Sequence, residues 1–107
     1  GGAPRPAETL AVGDLRLDAV RHVVTLRGAP VELTPSEFAM LQTLMAAPGR
    51  VFSRLQLLEA AQGEAYEGYE RTVDTHIKNL RRKIEDDARQ PTYILTVHGL
   101  GYKLRES

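Results

Sequence analysis

Cysteine is absent from this chain of 107 residues. Its absence excludes disulfide bonds, zinc sites built from thiolates and a cysteine nucleophile. A chain without disulfides fits a reducing compartment, so we expect a cytoplasmic protein. Tryptophan is also absent, and the six aromatic residues are four tyrosines and two phenylalanines.

Net charge is the second quantity that the sequence lacks. Fourteen basic and fourteen acidic side chains cancel, which excludes a strongly basic histone-like protein and an acidic disordered tail. Any surface for nucleic acid must therefore come from local segregation of charge. The chain also has no apolar run near the roughly 20 residues that a membrane helix needs and no signal-peptide core, so we expect no membrane partner.

The length allows one domain with one core, because a chain of this size buries roughly 60 to 70% of its unfolded surface. Residues 1–8 are rich in glycine and proline and have no hydrophobic period. We interpret them as a cloning scar and the end of an interdomain linker. The folded domain is expected to cover residues 9–107.

Short groups of alternating apolar residues occupy residues 9–33. The pairs are Leu10 and Val12, Leu15 and Leu17, Val24 and Leu26, and Val31 and Leu33. Such spacing, interrupted by glycine, proline and aspartate, predicts an antiparallel meander of up to four strands. A lone meander cannot bury both faces, so it must pack on the segments that follow.

Two helix starts are marked by capping boxes. Thr34-Pro35-Ser36-Glu37 places a capping threonine, a proline and a glutamate in the preferred positions, which predicts a helix over 35–47. Ser53-Arg54-Leu55-Gln56 repeats the pattern and predicts a shorter helix over 54–61. Between the two helices, Val51-Phe52 suits a short strand.

A third helix, predicted over 70–86, has two chemically different faces. Its apolar stripe is Val73, Ile77, Leu80 and Ile84, and the opposite face contains Arg71, Thr75, Lys78, Asn79 and Arg82. The pattern is that of an amphipathic helix with a cationic outer face. Residues 62–69 show no period and predict a loop before it. The acids at 85–87 oppose the helix dipole and favour an end there.

The C-terminal segment has two β-prone runs, 93–97 and 102–104, joined by His98-Gly99-Leu100-Gly101. This spacing predicts a β-hairpin over 93–105. Two helices followed by a basic helix and a hairpin form a winged helix-turn-helix, whose third helix fits the DNA major groove. The predicted fold class is therefore α+β, with an N-terminal antiparallel sheet, three helices and a C-terminal hairpin as the wing.

Four segments in this order resemble one protein family. They are "LTPSEFAMLQTL" at 33–44, "VFSRLQLLEA" at 51–60, "RTVDTHIKNLRRKIE" at 71–85 and "YILTVHGLGYKL" at 93–104. The chain is similar, from about residue 10 to residue 104, to the DNA-binding effector domain of OmpR/PhoB-type response regulators. That resemblance implies sequence-specific binding of double-stranded DNA, with transcriptional regulation as the output of a two-component phosphorelay.

The resemblance also implies contacts for individual residues. Bases are expected to face Thr72, Thr75 and Asn79. Phosphates are expected to face Arg71, His76, Lys78, Arg81, Arg82 and Thr96. His98 matches the wing-tip position that reaches the minor groove, where relatives often have arginine or a large aromatic residue. Asn79 stands where some relatives have arginine, and asparagine suits an adenine edge.

Partners follow from the same resemblance. The loop at 62–69 matches a segment that touches RNA polymerase in activators of the family, and its candidate contact residues are Glu64, Tyr66, Glu67 and Tyr69. A receiver domain with a phosphorylatable aspartate and a sensor kinase are implied for the full-length protein. Two domains are expected on tandem half-sites, head to tail, with the isolated domain a monomer.

Other classes of function have less support in the sequence. A winged helix that binds an acidic protein, such as a polymerase subunit, with incidental DNA affinity is the alternative hypothesis. The three histidines lie in separate elements without metal-ligand spacing, no nucleophile pattern points to an enzyme, and no cofactor motif is present. Asp74 is interpreted as a structural salt-bridge partner and Tyr102 as a packing residue of the wing.

Overall fold

The computed structural model describes residues 9–61 and 70–106. Within them, a four-stranded antiparallel sheet is followed by three helices and a hairpin. The elements are β1 (Thr9–Val12), β2 (Leu15–Asp18), β3 (Val23–Leu26), β4 (Ala29–Val31), α1 (Pro35–Ala46), α2 (Arg54–Ala60), α3 (Glu70–Ile84), β5 (Ile94–Val97) and β6 (Gly101–Leu104). The predicted α+β fold class with a winged helix-turn-helix is confirmed.

The N-terminal sheet is a meander in which each strand pairs with the next, in the order β1-β2-β3-β4. Leu15 pairs with Leu26 and Leu17 with Val24. Both leucines of β2 are fully buried, whereas Arg16 between them is exposed. The alternation in the sequence therefore corresponds to one face against the helices and one face toward solvent.

Both predicted capping boxes are present. The Thr34 hydroxyl accepts from the Glu37 N–H at 3.2 Å, and the Glu37 carboxylate accepts from the Thr34 N–H at 3.0 Å. In the second box, the Ser53 hydroxyl accepts from the Gln56 N–H at 3.1 Å, and the Gln56 side-chain oxygen accepts from the Ser53 N–H at 2.9 Å. These bonds satisfy N–H groups that the first helical turn leaves without acceptors.

The core lies between the sheet and the three helices. Its fully buried large side chains are Leu15, Leu17, Met40, Leu41, Leu44, Met45, Leu57, Ile77, Leu80, Ile84, Ile94 and Leu104. The apolar stripe predicted for the third helix is buried along its whole length, since Val73 is also inaccessible. Packing of this stripe leaves the opposite face of α3 toward solvent.

The third helix ends at Ile84, two residues before the predicted end. The prediction placed Glu85 among acids that the helix dipole repels. Instead, the Glu85 side chain is buried, and its carboxylate accepts from the N–H groups of Thr92, Tyr93 and Ile94 at 2.8, 3.0 and 2.9 Å. This carboxylate anchors the start of the wing at the point where the chain leaves the helix.

Candidate nucleic-acid interface

The outer face of α3 presents the residues predicted to meet bases. Thr75 is exposed, and Thr72 and Asn79 are half-buried. Spacings of three and four residues place them along one side of the helix, away from the buried Val73 and Ile77. Hydroxyl and amide groups of this kind hydrogen-bond base edges in a major groove.

Cations flank that polar strip. Lys78 and Arg82 are exposed, lie one helical turn apart, and have no ion pair or hydrogen bond within the described residues. His76 lies on the same helix and is half-buried. By contrast, the Lys83 ammonium forms a 2.6 Å ion pair with the buried Glu37. Among the lysines and arginines of α3 whose side chains the structure describes, Lys78 and Arg82 are therefore the two whose positive charge has no protein partner.

The wing stands beside α3 and is closed by a tight turn. Thr96 pairs with Tyr102 and Val97 with Gly101, and the N–H of Leu100 donates to the Val97 carbonyl at 2.9 Å. His98 is exposed at the tip of this turn, as the sequence predicts, and Thr96 is exposed on β5. The two predicted wing contacts therefore face solvent within one hairpin.

Arg81 occupies a different place from the other cations of α3. Its Nε and Nη2 both donate to the Ile94 carbonyl, at 3.1 and 2.9 Å, and Nη2 also donates to the Thr96 hydroxyl at 2.7 Å. The guanidinium lies over the Tyr102 ring, 5.5 Å from its centre. Arg81 thus joins α3 to the wing, an arrangement that the sequence prediction missed.

Asp74 makes the structural contacts that the sequence predicted. It accepts from Arg54 Nε at 3.0 Å and from the Tyr102 hydroxyl. Burial of the Tyr102 side chain raises the pKa of this tyrosine above its usual value, and its hydrogen bond to the Asp74 carboxylate raises the pKa further. Tyr102 therefore stays neutral and keeps its hydroxyl as a donor. Its ring packs inside the wing, as predicted.

The contribution of Arg54 was also missed by the sequence prediction. It lies on α2, twenty residues before Asp74 in the chain. No helical or strand period connects the two positions. The sequence pointed only to an unspecified arginine near Asp74.

Several predicted contacts stay predictions. Arg71 lies in the first turn of α3, and the loop residues Glu64, Tyr66, Glu67 and Tyr69 lie outside the described residues. Over residues 9–61 and 70–106, no cluster of three metal-ligating side chains is found. No helix in those ranges is long and apolar enough to cross a membrane.

Comparison with known proteins gives this geometry a family. Residues 28–104 match the family model described as transcriptional regulatory protein, C terminal. The chain belongs to this family. The resemblance to the effector domain of OmpR/PhoB-type response regulators is thereby confirmed.

Individual relatives of this C-terminal regulatory domain agree. The chain is 46% identical over 95 residues to the sensory transduction protein RegX3 of Mycolicibacterium smegmatis, covering 89% of the chain and 42% of that protein. It superposes with a TM-score of 0.82 and 38% identity on the response regulator DrrB, a Thermotoga maritima OmpR/PhoB homolog, covering 92% of the chain and 44% of DrrB.

A third relative matches over nearly its whole length. The Klebsiella pneumoniae RstA DNA-binding domain, crystallised in complex with the RstA box, superposes with a TM-score of 0.79 and 37% identity. The match covers 92% of this chain and 97% of that domain. The chain therefore has the extent of a C-terminal regulatory domain and spans less than half the length of RegX3 and DrrB.

Proposed function

We propose that this chain binds double-stranded DNA in a sequence-specific manner and regulates transcription as the output domain of a two-component response regulator. The observation with the greatest weight is the outer face of α3, where Thr75, Lys78, Asn79 and Arg82 lie together beside an exposed wing. The RstA domain, which matches over nearly its whole length, was crystallised with its DNA box. We also propose that the domain catalyses no reaction.

In the proposed complex, α3 lies in the major groove, which is wide enough for one helix. Thr72, Thr75 and Asn79 hydrogen-bond base edges, while Lys78 and Arg82 neutralise phosphates on the groove walls. The wing reaches the adjacent backbone through Thr96, and His98 faces the minor groove. The exposure of Thr96 and His98 on the hairpin next to α3 supports these contacts.

Further parts of the proposal concern the full-length protein. RegX3 and DrrB extend well beyond the length that this chain matches, which supports an N-terminal receiver domain that a sensor kinase phosphorylates. We propose that two domains occupy tandem half-sites, that the isolated domain is a monomer in a cytoplasmic protein, and that the loop at 62–69 contacts RNA polymerase.

The experiment that tests the proposed function is iterative selection of random duplex DNA by the purified domain at physiological salt, read out by sequencing. A recurrent half-site, retained in the presence of excess nonspecific DNA, is expected because specific complexes are typically ~10³-fold or more tighter. Absence of enrichment, combined with retention of an acidic polymerase subunit, would instead support a protein-interaction module.

Salt dependence is a second expected result. If about four to six phosphates are neutralised, the logarithm of affinity falls with the logarithm of salt concentration at a slope near −4 to −5. Titrations of the selected duplex between 50 and about 200 mM salt measure this slope. A nearly flat response would contradict docking of the cationic face of α3 on the DNA backbone.

Two neighbouring substitutions separate the contributions of bases and phosphates. Asn79→Ala is expected to cost about 1 to 3 kcal/mol on the preferred site and to relax the choice of one base pair. Lys78→Ala is expected to weaken binding to all duplexes alike and to reduce the salt slope by about one. Titration of both variants against the preferred duplex and single-base variants gives the comparison, and equal behaviour would contradict these roles.

A further inference from the structure

Arg81 uses its hydrogen-bonding edge on the wing. The side formed by Nε and Nη2 donates to one carbonyl of β5, and Nη2 also donates to the hydroxyl of Thr96. An arginine has a planar fork with a fixed set of donors. Nε and both hydrogens of Nη2 are therefore directed at protein atoms, and only the Nη1 donors have no partner in the described residues.

The contact with Thr96 determines what its hydroxyl can do. A hydroxyl has one donor and two acceptor positions, and here one acceptor position is filled by the Arg81 N–H at 2.7 Å. Its own hydrogen must point away from Arg81. Because Thr96 is exposed, that hydrogen is free to be donated to a phosphate oxygen outside the wing. A cationic donor at the oxygen also polarises the hydroxyl and strengthens the bond that it donates.

A second set of contacts holds Arg81 in this position. The Tyr102 ring lies under the guanidinium, the Tyr102 hydroxyl donates to Asp74, and Asp74 pairs with Arg54 of α2. This chain of contacts joins α2, α3 and both strands of the wing. It fixes the position of Thr96 relative to the base-facing side of α3.

We propose that Arg81 is a positioning residue, which acts on a DNA phosphate through the oriented hydroxyl of Thr96. This inference rests on the proposed DNA-binding function. It adds an indirect role to the direct phosphate contact expected for Arg81 from the family resemblance. Lys78 and Arg82 keep that direct role.

The test is a double-mutant cycle on the selected duplex, with Arg81→Lys, Thr96→Val and the variant with both changes. All three conserve charge relative to the parent side chains, and valine matches threonine in shape without the hydroxyl. Each single change is expected to weaken binding about tenfold, the lower end for a hydrogen bond to a charged group. The double variant is expected to bind within about twofold of Thr96→Val, because two residues in one contact chain are not additive.

Three controls accompany the cycle. Thr96→Ser retains the hydroxyl and is expected to bind within about twofold of the parent. Arg16→Lys changes an exposed arginine of the N-terminal sheet that lies outside the proposed DNA interface and has no hydrogen-bond partner in the described residues, and its affinity is expected to stay near that of the parent. Because charge is conserved, the salt slope is expected to be unchanged in Arg81→Lys.

The outcomes separate three roles for Arg81. The proposal is overturned if Arg81→Lys binds as tightly as the parent. It is also overturned if the losses of the two single variants multiply in the double variant, because a direct phosphate contact or a general structural role of Arg81 acts equally with threonine or valine at position 96. If Arg81→Lys fails to fold, Thr96→Val against Thr96→Ser still decides, and equal affinity of these two overturns the proposal. Failure of the parent domain to select any duplex overturns the proposed function and this inference together, whereas selection with no coupling overturns this inference alone.

Discussion

Replacing Glu85 with alanine is expected to lower the free energy of unfolding by about 3 to 5 kcal/mol, since each buried N–H without an acceptor costs about 1 to 3 kcal/mol. The Glu85 side chain is only 9% exposed. Its carboxylate accepts from three consecutive backbone N–H groups, those of Thr92, Tyr93 and Ile94. Alanine removes the acceptor and leaves the buried N–H groups of Tyr93 and Ile94 in place, away from water.

The loss is large for a domain whose whole stability is expected to be about 5 to 15 kcal/mol. Urea denaturation followed by circular dichroism measures it, with an unchanged m-value showing that the change is one of stability. Because the three N–H groups stand at the start of β5, amide exchange is expected to accelerate first in the wing. DNA affinity is expected to fall with it, since Thr96 and His98 depend on the position of this strand.

Asp86→Ala is the matched control for Glu85→Ala. Asp86 is the next acid in the chain, and its only described ion pair is with Arg27 on the surface. Exposed pairs contribute little because water and salt screen them, so the urea midpoint is expected to stay near that of the parent. Equal losses in the two variants would show that Glu85 acts by charge at the helix end and not as a buried acceptor.

The features of the fold that the sequence predicted depend on neighbours in the chain. Capping boxes span three residues, as at Thr34 and Glu37, and strand alternation spans two. The stripe from Val73 to Ile84 follows from helical period alone. Such local signals fixed the element order, the faces and the fold class. They also placed Thr75, Lys78 and Asn79 on the solvent side of α3, because the apolar stripe determines which side is buried.

The features that the sequence did not predict depend on contacts between distant segments. Glu85 follows Ile84, the last core residue of α3. The spacing of the apolar residues is the same whether the carboxylate after them meets solvent or a returning strand. Along the chain, Arg81 lies between Asn79 and Arg82, which both belong to the cationic face. Its side chain nevertheless turns to β5. Only the packing of the wing on α3 separates its role from that of Arg82. A pattern of residue types contains no distance between elements, and the family resemblance therefore assigned both arginines to phosphates without distinguishing them.

The second large effect is expected for Gly101→Ala, at the first residue of β6. Gly101 has φ of +144°, a conformation that side chains other than glycine rarely adopt. A Cβ there would lie 2.0 Å from the backbone oxygen of Phe52. That oxygen accepts from the Tyr102 N–H at 3.0 Å, while the Phe52 N–H donates to the Tyr102 carbonyl at 2.8 Å. Alanine must therefore push the two backbones apart and break this bridge.

The expected loss is about 3 to 5 kcal/mol in the free energy of unfolding, from backbone strain and two hydrogen bonds.

Gly99→Ala is the matched control in the same hairpin. Gly99 also has positive φ, +80°, but a Cβ there meets nothing within 4 Å, so only the backbone cost of about 1 to 2 kcal/mol is expected. Urea denaturation of both variants gives the comparison. Equal losses would show that φ alone makes Gly101 necessary, and a larger loss at Gly101 would show that the close approach of Phe52 does. The second result is the one expected, because this bridge holds the wing against Phe52, next to the Ser53 cap of α2. The bridge thereby sets the position of the wing beside α3.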